Sequence, residues 1–286
     1  MTEPRPDPRQ APLSALDELP ADSRHARQIA RRQLIAEAVM AEGNMRIEDL
    51  VERFGISLMT AHRDLDELAS RGLLRKTRGI VSAAPTSLVE ASDVYRSAQQ
   101  SGEKRALAAA AAAHVEPGQA VFLDDSTTVL QLVPHLAGRV PLTAITNSMG
   151  LMTALRQMRD VTLLGLGGQY HNWCNAFLGP MTTSEIRRLR ADLVVLSMPA
   201  ITDGVVFHQS PEMAEVKRAM FDSARRRILL ADHSKFSRRA LHAMARLEEF
   251  DLLIVDETTP QETVSELRAA GVKVEVAPSL PQTSPA

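Results

Sequence analysis

ISLMTAHRDLDELASRG, residues 56–72, decides how the amino-terminal part of the chain is read. Leu58, Ala61, Leu65 and Leu68 recur at steps of three, four and three, which predicts one apolar stripe of an α-helix. Ser57 stands where an N-cap belongs, and Gly72 where a helix ends in a left-handed residue. The opposite face carries Met59, Arg63, Asp66 and Ser70, flanked by Thr60 and His62. Core packing does not call for that mixture.

Upstream, Ile29, Leu34, Ile35 and Ala38 predict a first helix, closed by Glu42-Gly43-Asn44, and Ile47, Leu50, Val51 and Phe54 a second. Gly55-Ile56-Ser57 turns the chain into the quoted helix. Downstream, LLRKTRGIVSA (73–83) places β-compatible residues around a basic turn. Helix, helix, turn, helix and hairpin is the layout of a winged helix-turn-helix, expected over residues 23–83. From Arg71 to Gly79 the chain holds Arg71, Arg75, Lys76 and Arg78 and no acid, a charge of +4 on the wing. The helix would put Arg63 on a guanine edge, with Met59 and His62 beside it, while Ser57 and Thr60 touch phosphate. Arg75, Lys76 and Arg78 would grip the backbone. The competing reading is a plain three-helix pack with Arg63 paired to Glu67, and the basic wing weighs against it.

The whole chain of 286 residues has a formal net charge of −2, so affinity for double-stranded DNA must come from that local patch. Aromatic residues make up 3%, too few for single-strand binding by base stacking. One cysteine, Cys174, excludes an internal disulfide framework and fits a reducing, cytoplasmic compartment. No apolar run reaches membrane-spanning length and no signal peptide is legible, so no membrane partner is expected. Residues 1–22 carry Pro4, Pro6, Pro8, Pro12 and Pro20 and are expected to be a disordered tail. Residues 84–102 suit a linker, and 278–286 a loose end.

From Lys104 onward, apolar runs alternate with helical stretches: AVFLD (120–124), LTAIT (142–146), VTLLG (161–165), DLVVLSM (192–198), RILLA (227–231), DLLIV (251–255) and KVEVA (273–277). This is an α/β pattern with a mostly parallel sheet, expected over residues 103–277. Polar residues follow the runs, where ligands bind in such sheets. They are Asp124, Asp125, Ser126, Thr127 and Thr128 with a helix after them, Thr146, Asn147 and Ser148, Gly167 and Gly168, and Asp232 to Lys235. Hydroxyls at a helix start can hold phosphate, Lys217 and Lys235 supply cations, and Asp124 and Asp232 can accept sugar hydroxyls. Singly, each Ser, Thr or Asn is also an ordinary cap. Their coincidence on one rim points to a small, hydroxylated, anionic ligand. His171 and Cys174 lack a second ligand pair, so neither a metal nor a cofactor is expected.

These residues resemble the DeoR family of bacterial transcription regulators over about residues 27–257. The resemblance rests on ISLMTAHRDLDELASRGLLRKTRG in the first domain, and on Lys104, FLDDSTT, ITNS, the Gly167-Gly168 pair, EVKRAM and LADHSKF in the second. It implies a sensor domain folded like sugar-phosphate isomerases and coenzyme A transferases, a phosphorylated sugar effector, and repression of a carbohydrate-use operon. It also places Ser57, Thr60 and Arg63 on DNA, and Asp124, Ser126, Thr127, Thr128, Asn147, Lys217 and Lys235 at the effector. His62 stands where the family often has arginine, Ser126 where glycine is common, and Gly79-Ile80 where a glycine pair is usual. A homodimer or tetramer is expected, because paired recognition helices match successive major grooves. The rival class is an isomerase-like enzyme fused to a DNA-binding module, with Asp124, Asp232, Glu215 and Lys235 as acid–base groups.

Overall fold

The computed structural model describes residues 28, 31, 32, 34–36, 38, 39, 44–70, 74–83, 96, 97 and 99–280. The expected tail over 1–22, Ile29, Arg71, the Gly72 cap, most of the 84–102 linker and the last six residues lie outside them. The chain divides into two units, Met1–Ala91 and Ser92–Ala286.

In the first unit, helical residues between 28 and 39 precede strand β1 (Asn44–Arg46), helix α1 (Ile47–Phe54) and helix α2 (Leu58–Ser70). Strands β2 (Leu74–Thr77) and β3 (Ile80–Ala83) follow. The wing is a three-stranded sheet in the order β1-β3-β2, because β1 pairs antiparallel with β3. The sequence reading did not find β1, which at three residues shows no alternation. Arg78 (φ 47°) and Gly79 (φ 80°) form the two-residue turn between β2 and β3. Both central residues sit in the left-handed region, as tight hairpins of matching twist require. Gly55, at φ 57°, closes α1 in the same conformation.

The apolar stripe of α2 holds at Ala61, Leu65 and Leu68, which join Ile35, Val39, Leu50 and Val81 in one core. Leu58 departs from it: the residue is 52% exposed. The buried register runs instead through Asp64, which is fully buried. Its two carboxylate oxygens accept from Arg31 Nε at 2.7 Å and Arg32 Nε at 2.8 Å. A paired carboxylate replaces the fourth apolar side chain, and the first turn of α2 projects past the helices it packs on.

In the second unit Arg96 and Ser97 are helical and helix α3 spans Ser101–Ala112, so the last residues of the expected linker are helical. Strands β4 (Ala120–Leu123), β5 (Leu142–Thr146), β6 (Val161–Gly165), β9 (Ala191–Ser197), β12 (Ala224–Ala231), β14 (Leu252–Asp256) and β15 (Val274–Ala277) coincide with the seven apolar runs. They form one parallel sheet in the order β15-β14-β12-β9-β4-β5-β6. Apolar clusters cover both faces, as a parallel sheet requires.

Two small antiparallel additions were not anticipated: β7 (Gln169–His171) with β8 (Ala176–Leu178), and β10 (Ala200–Thr202), β11 (Val205–His208) and β13 (His242–Arg246). The segment after Asp124–Thr128 is not an α-helix either. Val129–Arg139 is a 3-10 helix with Pro134 inside, a residue that can neither donate to an α-helical ladder nor fit one without a clash.

Candidate functional site

On α2, Ser57 Oγ accepts the Thr60 amide at 3.2 Å and shares a hydrogen bond with Thr60 Oγ1 at 2.8 Å. The N-cap expected of Ser57 is therefore present. Beyond it, Met59 and Arg63 are exposed and His62 is half-buried. Glu67 lies 3.8 Å from Arg32, and Arg63 has no ion pair among the described residues. The solvated Arg63–Glu67 pair of the competing reading is thus replaced by Arg32–Glu67. On the wing, Arg75 and Arg78 are exposed, whereas Lys76 Nζ donates to Asp66 Oδ1 of α2 at 2.8 Å. That bond fastens the wing to the helix and takes up part of the Lys76 charge.

In the second unit the strand order settles where the polar loops meet. From β4 the chain winds outward through β5 and β6, then returns to lay β9, β12, β14 and β15 on the other side. The order reverses between β4 and β9, and such a switch point opens a crevice at the carboxyl ends of the strands. The polar residues nominated after β4, β5, β6 and β12 all lie on that edge, joined by Ser197 after β9.

Asp124 is buried at the carboxyl end of β4, beside that switch point. Its Oδ1 accepts the Ser126 amide at 2.9 Å, and its Oδ2 accepts the Ser197 amide at 2.9 Å and Lys217 Nζ at 2.6 Å. Lys217 also donates to the Ser197 carbonyl at 3.2 Å and lies 3.0 Å from Asp125 Oδ1. Its charge is already matched by two carboxylates at 2% side-chain exposure, so it is a strut rather than an open cation. Asp125 Oδ2 and Asn147 Oδ1 are buried without a hydrogen-bond partner. Unsatisfied acceptors of this kind are costly unless something donates to them.

Several rim residues also act as caps. Ser126 Oγ accepts the Val129 amide, Ser148 Oγ the Leu151 amide and Asp232 Oδ1 the Ser234 amide. Thr128 makes no such side-chain cap. Thr146 Oγ1 accepts the Ser148 amide, which fixes the turn after β5. Gly167 and Gly168 differ in kind. A Cβ on Gly167 would meet open space, whereas one on Gly168 (φ 149°) would lie 2.2 Å from Thr182 Oγ1 and 2.9 Å from the Leu178 carbonyl. Thr182 Oγ1 donates to the Gly167 carbonyl at 2.8 Å, so the glycine pair lets helix Pro180–Arg187 approach the loop.

Beside β12 is a group the sequence reading did not assemble. Lys235 Nζ lies 3.4 Å from Asp232 Oδ2, a buried atom with no hydrogen-bond partner. Lys104, buried on α3, donates from Nζ to the Arg96 carbonyl. Burial, then repulsion from Lys235, brings the Lys104 amine down to about 7, with Arg96 and Arg238 acting the same way and Asp232 opposing. Burial likewise lowers Lys235, against the pull of Asp232. Burial would raise the Asp232 carboxyl, but Lys235, Ser234, Arg238 and Lys104 together bring it below its usual range. Three cationic side chains, Lys235, Arg238 and Lys104, thus act on one carboxylate. A lysine in phase with the buried Leu107, Ala108 and Ala111 of α3 was the one sequence signal for this cluster.

Residues 31–86 match the DeoR-like helix-turn-helix domain, and residues 99–257, more than half of the chain, match the DeoR C terminal sensor domain. The chain belongs to the DeoR family. As a DeoR protein it is a DNA-binding transcriptional regulator. Its relatives include the transcriptional repressor AccR of Agrobacterium fabrum, 33% identical over 80% of this chain and 90% of that protein. They also include a putative aga operon transcriptional repressor of Escherichia coli, 32% identical over 85% and 92% respectively. The glycerol-3-phosphate regulon repressor of Escherichia coli is 29% identical over 87% of this DeoR chain and 99% of its own. Ribose 5-phosphate isomerase A of Methanocaldococcus jannaschii shares 14% identity over 46% of this chain and 53% of that one, at a TM-score of 0.35. That likeness is too slight to bear on function. Among the described residues no helix is long and apolar enough to cross a membrane, and no cluster of potential metal ligands occurs.

Proposed function

We propose that this DeoR protein represses a carbohydrate-metabolism operon and that a phosphorylated sugar, bound in the crevice between β4 and β9, controls its hold on operator DNA. The observation that carries the reading is the gathering of Lys104, Lys235 and Arg238 about the carboxylate of Asp232, at the carboxyl edge of a parallel sheet. A phosphate there relieves the mutual repulsion of buried cations. Asp125, Thr127, Thr128, Asn147 and Gly167 then face the hydroxylated part of the ligand. Ser126, Ser148 and Gly168 shape the loops that hold it. The relatives named as repressors of the aga operon and of the glycerol-3-phosphate regulon support the same direction.

Control works by linkage: the effector favours one arrangement of the sensor units, and operator affinity changes by the same coupling free energy. A homo-oligomer, dimer or tetramer, places two α2 helices on successive major grooves. The protein acts without turnover. Asp124, the strongest acid–base candidate of an isomerase reading, has both oxygens committed to two amides and a buried lysine.

Thermal shift of the full chain against paired phosphorylated and plain sugars tests the reading. Stabilisation by phosphorylated compounds alone, abolished by Lys235→Ala, is expected. Equal shifts with plain sugars, or ketose formation from phosphorylated aldoses, would overturn it.

A further inference from the structure

The first turn of α2 presents an apolar surface that the fold does not use. Leu58 is 52% exposed and Met59 is 75% exposed, adjacent residues at the end of the helix that meets base edges. The hydroxyls beside them are partly engaged: Ser57 Oγ accepts the Thr60 amide, and one of the Ser57 and Thr60 hydroxyls donates to the other, leaving one O–H for a phosphate. The larger part of what this turn offers a major groove is therefore two long apolar side chains. Across the i,i+4 spacing, Leu58 neighbours His62 and Met59 neighbours Arg63, so the apolar pair and the polar pair form one patch. The exposed Arg75 and Arg78 of the wing give the same unit the charge complementarity that seats it on a duplex.

The major groove of DNA exposes one apolar group on an unmodified base edge, the C5-methyl of thymine. We infer that Leu58 and Met59 read thymine methyl groups next to a guanine held by Arg63, so that operator choice rests on apolar contacts as well as hydrogen bonds. The inference builds on the DNA-binding role of the family and adds the base and the atom recognised.

The test starts by selecting tight sites for the full chain from a randomised duplex pool. Each thymine of the best site is then replaced singly by deoxyuridine, which removes only the methyl. At one or two thymines adjacent to a guanine, the substitution is expected to weaken wild-type binding about fourfold per methyl, the worth of one buried carbon. Met59→Gln or Leu58→Gln should bind the thymine and deoxyuridine sites equally while circular dichroism stays unchanged. Equal wild-type binding to both duplexes would overturn the inference and leave DNA binding standing. Failure to enrich any sequence would strike the DNA-binding reading itself. A deoxyuridine penalty that persists in both variants would assign the methyl contact to other residues and also overturn it.

Discussion

Lys217 Nζ meets Asp124 Oδ2 at 2.6 Å, with 2% and 1% of the two side chains exposed. The pair ties helix Pro211–Asp222 to the end of β4, and through the Ser197 amide to the end of β9. It holds the carboxyl ends of β4 and β9 together at the topological switch point. Removing one partner leaves the other charged in a dry site, so Lys217→Met should cost the sensor about 3–5 kcal/mol. Combining it with Asp124→Leu should recover much of that loss. Both are read from the sensor transition in thermal unfolding of the full chain, and a double variant worse than the sum would refute the coupling.

With phosphate bound as proposed, Lys104 should give the effector response a pH dependence. Its folded value of about 7 lies below its ordinary 10.5, so the buried charge burdens the fold below pH 7. This contribution to stability rises with pH between about 7 and 10.5, because the unfolded chain then binds more protons. A phosphate bound beside Lys104 would raise its value, and binding would take up a proton. Stabilisation by a phosphorylated ligand should therefore weaken from pH 7 to pH 9, and Lys104→Met should flatten the profile. A wild-type profile that is flat over this range would contradict the placement of phosphate beside Lys104.

Gly167 and Gly168 separate fold from function. Gly168→Ala forces a Cβ against Thr182 and the Leu178 carbonyl and should destabilise the sensor by about 1–3 kcal/mol. Gly167→Ala meets nothing and should leave the melting temperature within a degree or two, while its added methyl obstructs a ligand over the loop. Loss of phosphorylated-sugar stabilisation in Gly167→Ala without loss of stability would mark this loop as part of the site.

The wing should act through charge. Arg75→Ala and Arg78→Ala are each expected to lower the slope of log affinity against log salt by about one, across all sequences. Lys76→Ala should lower it less, since Lys76 already bonds Asp66 at 2.8 Å. Salt titrations of operator binding distinguish the three.

The buried parallel strands were legible because each is covered on both faces and so reads as an unbroken apolar run, DLLIV and RILLA most plainly. The carboxyl-edge residues were legible from the same runs, since their position follows once strand ends are known. Strands such as β7, β8 and β10 were not, because three residues with mixed burial carry no period. Leu58 misled because helical spacing shows which residues share a side, not how far the neighbouring helices extend. Asp64 shows the converse: a carboxylate in phase with Ala61 and Leu68 is buried once Arg31 and Arg32 reach it. The Lys104, Arg96 and Arg238 group was hidden because its members come from three segments that only the tertiary structure brings together.

The double arginine clasp on Asp64 has an evolutionary corollary. Because α2 is anchored by its inner side to residues of the leading helix, the outward positions 58, 59, 62 and 63 carry little of the structural burden. A duplicated copy of this protein can exchange those four side chains and acquire a new target sequence while its scaffold stays as it is.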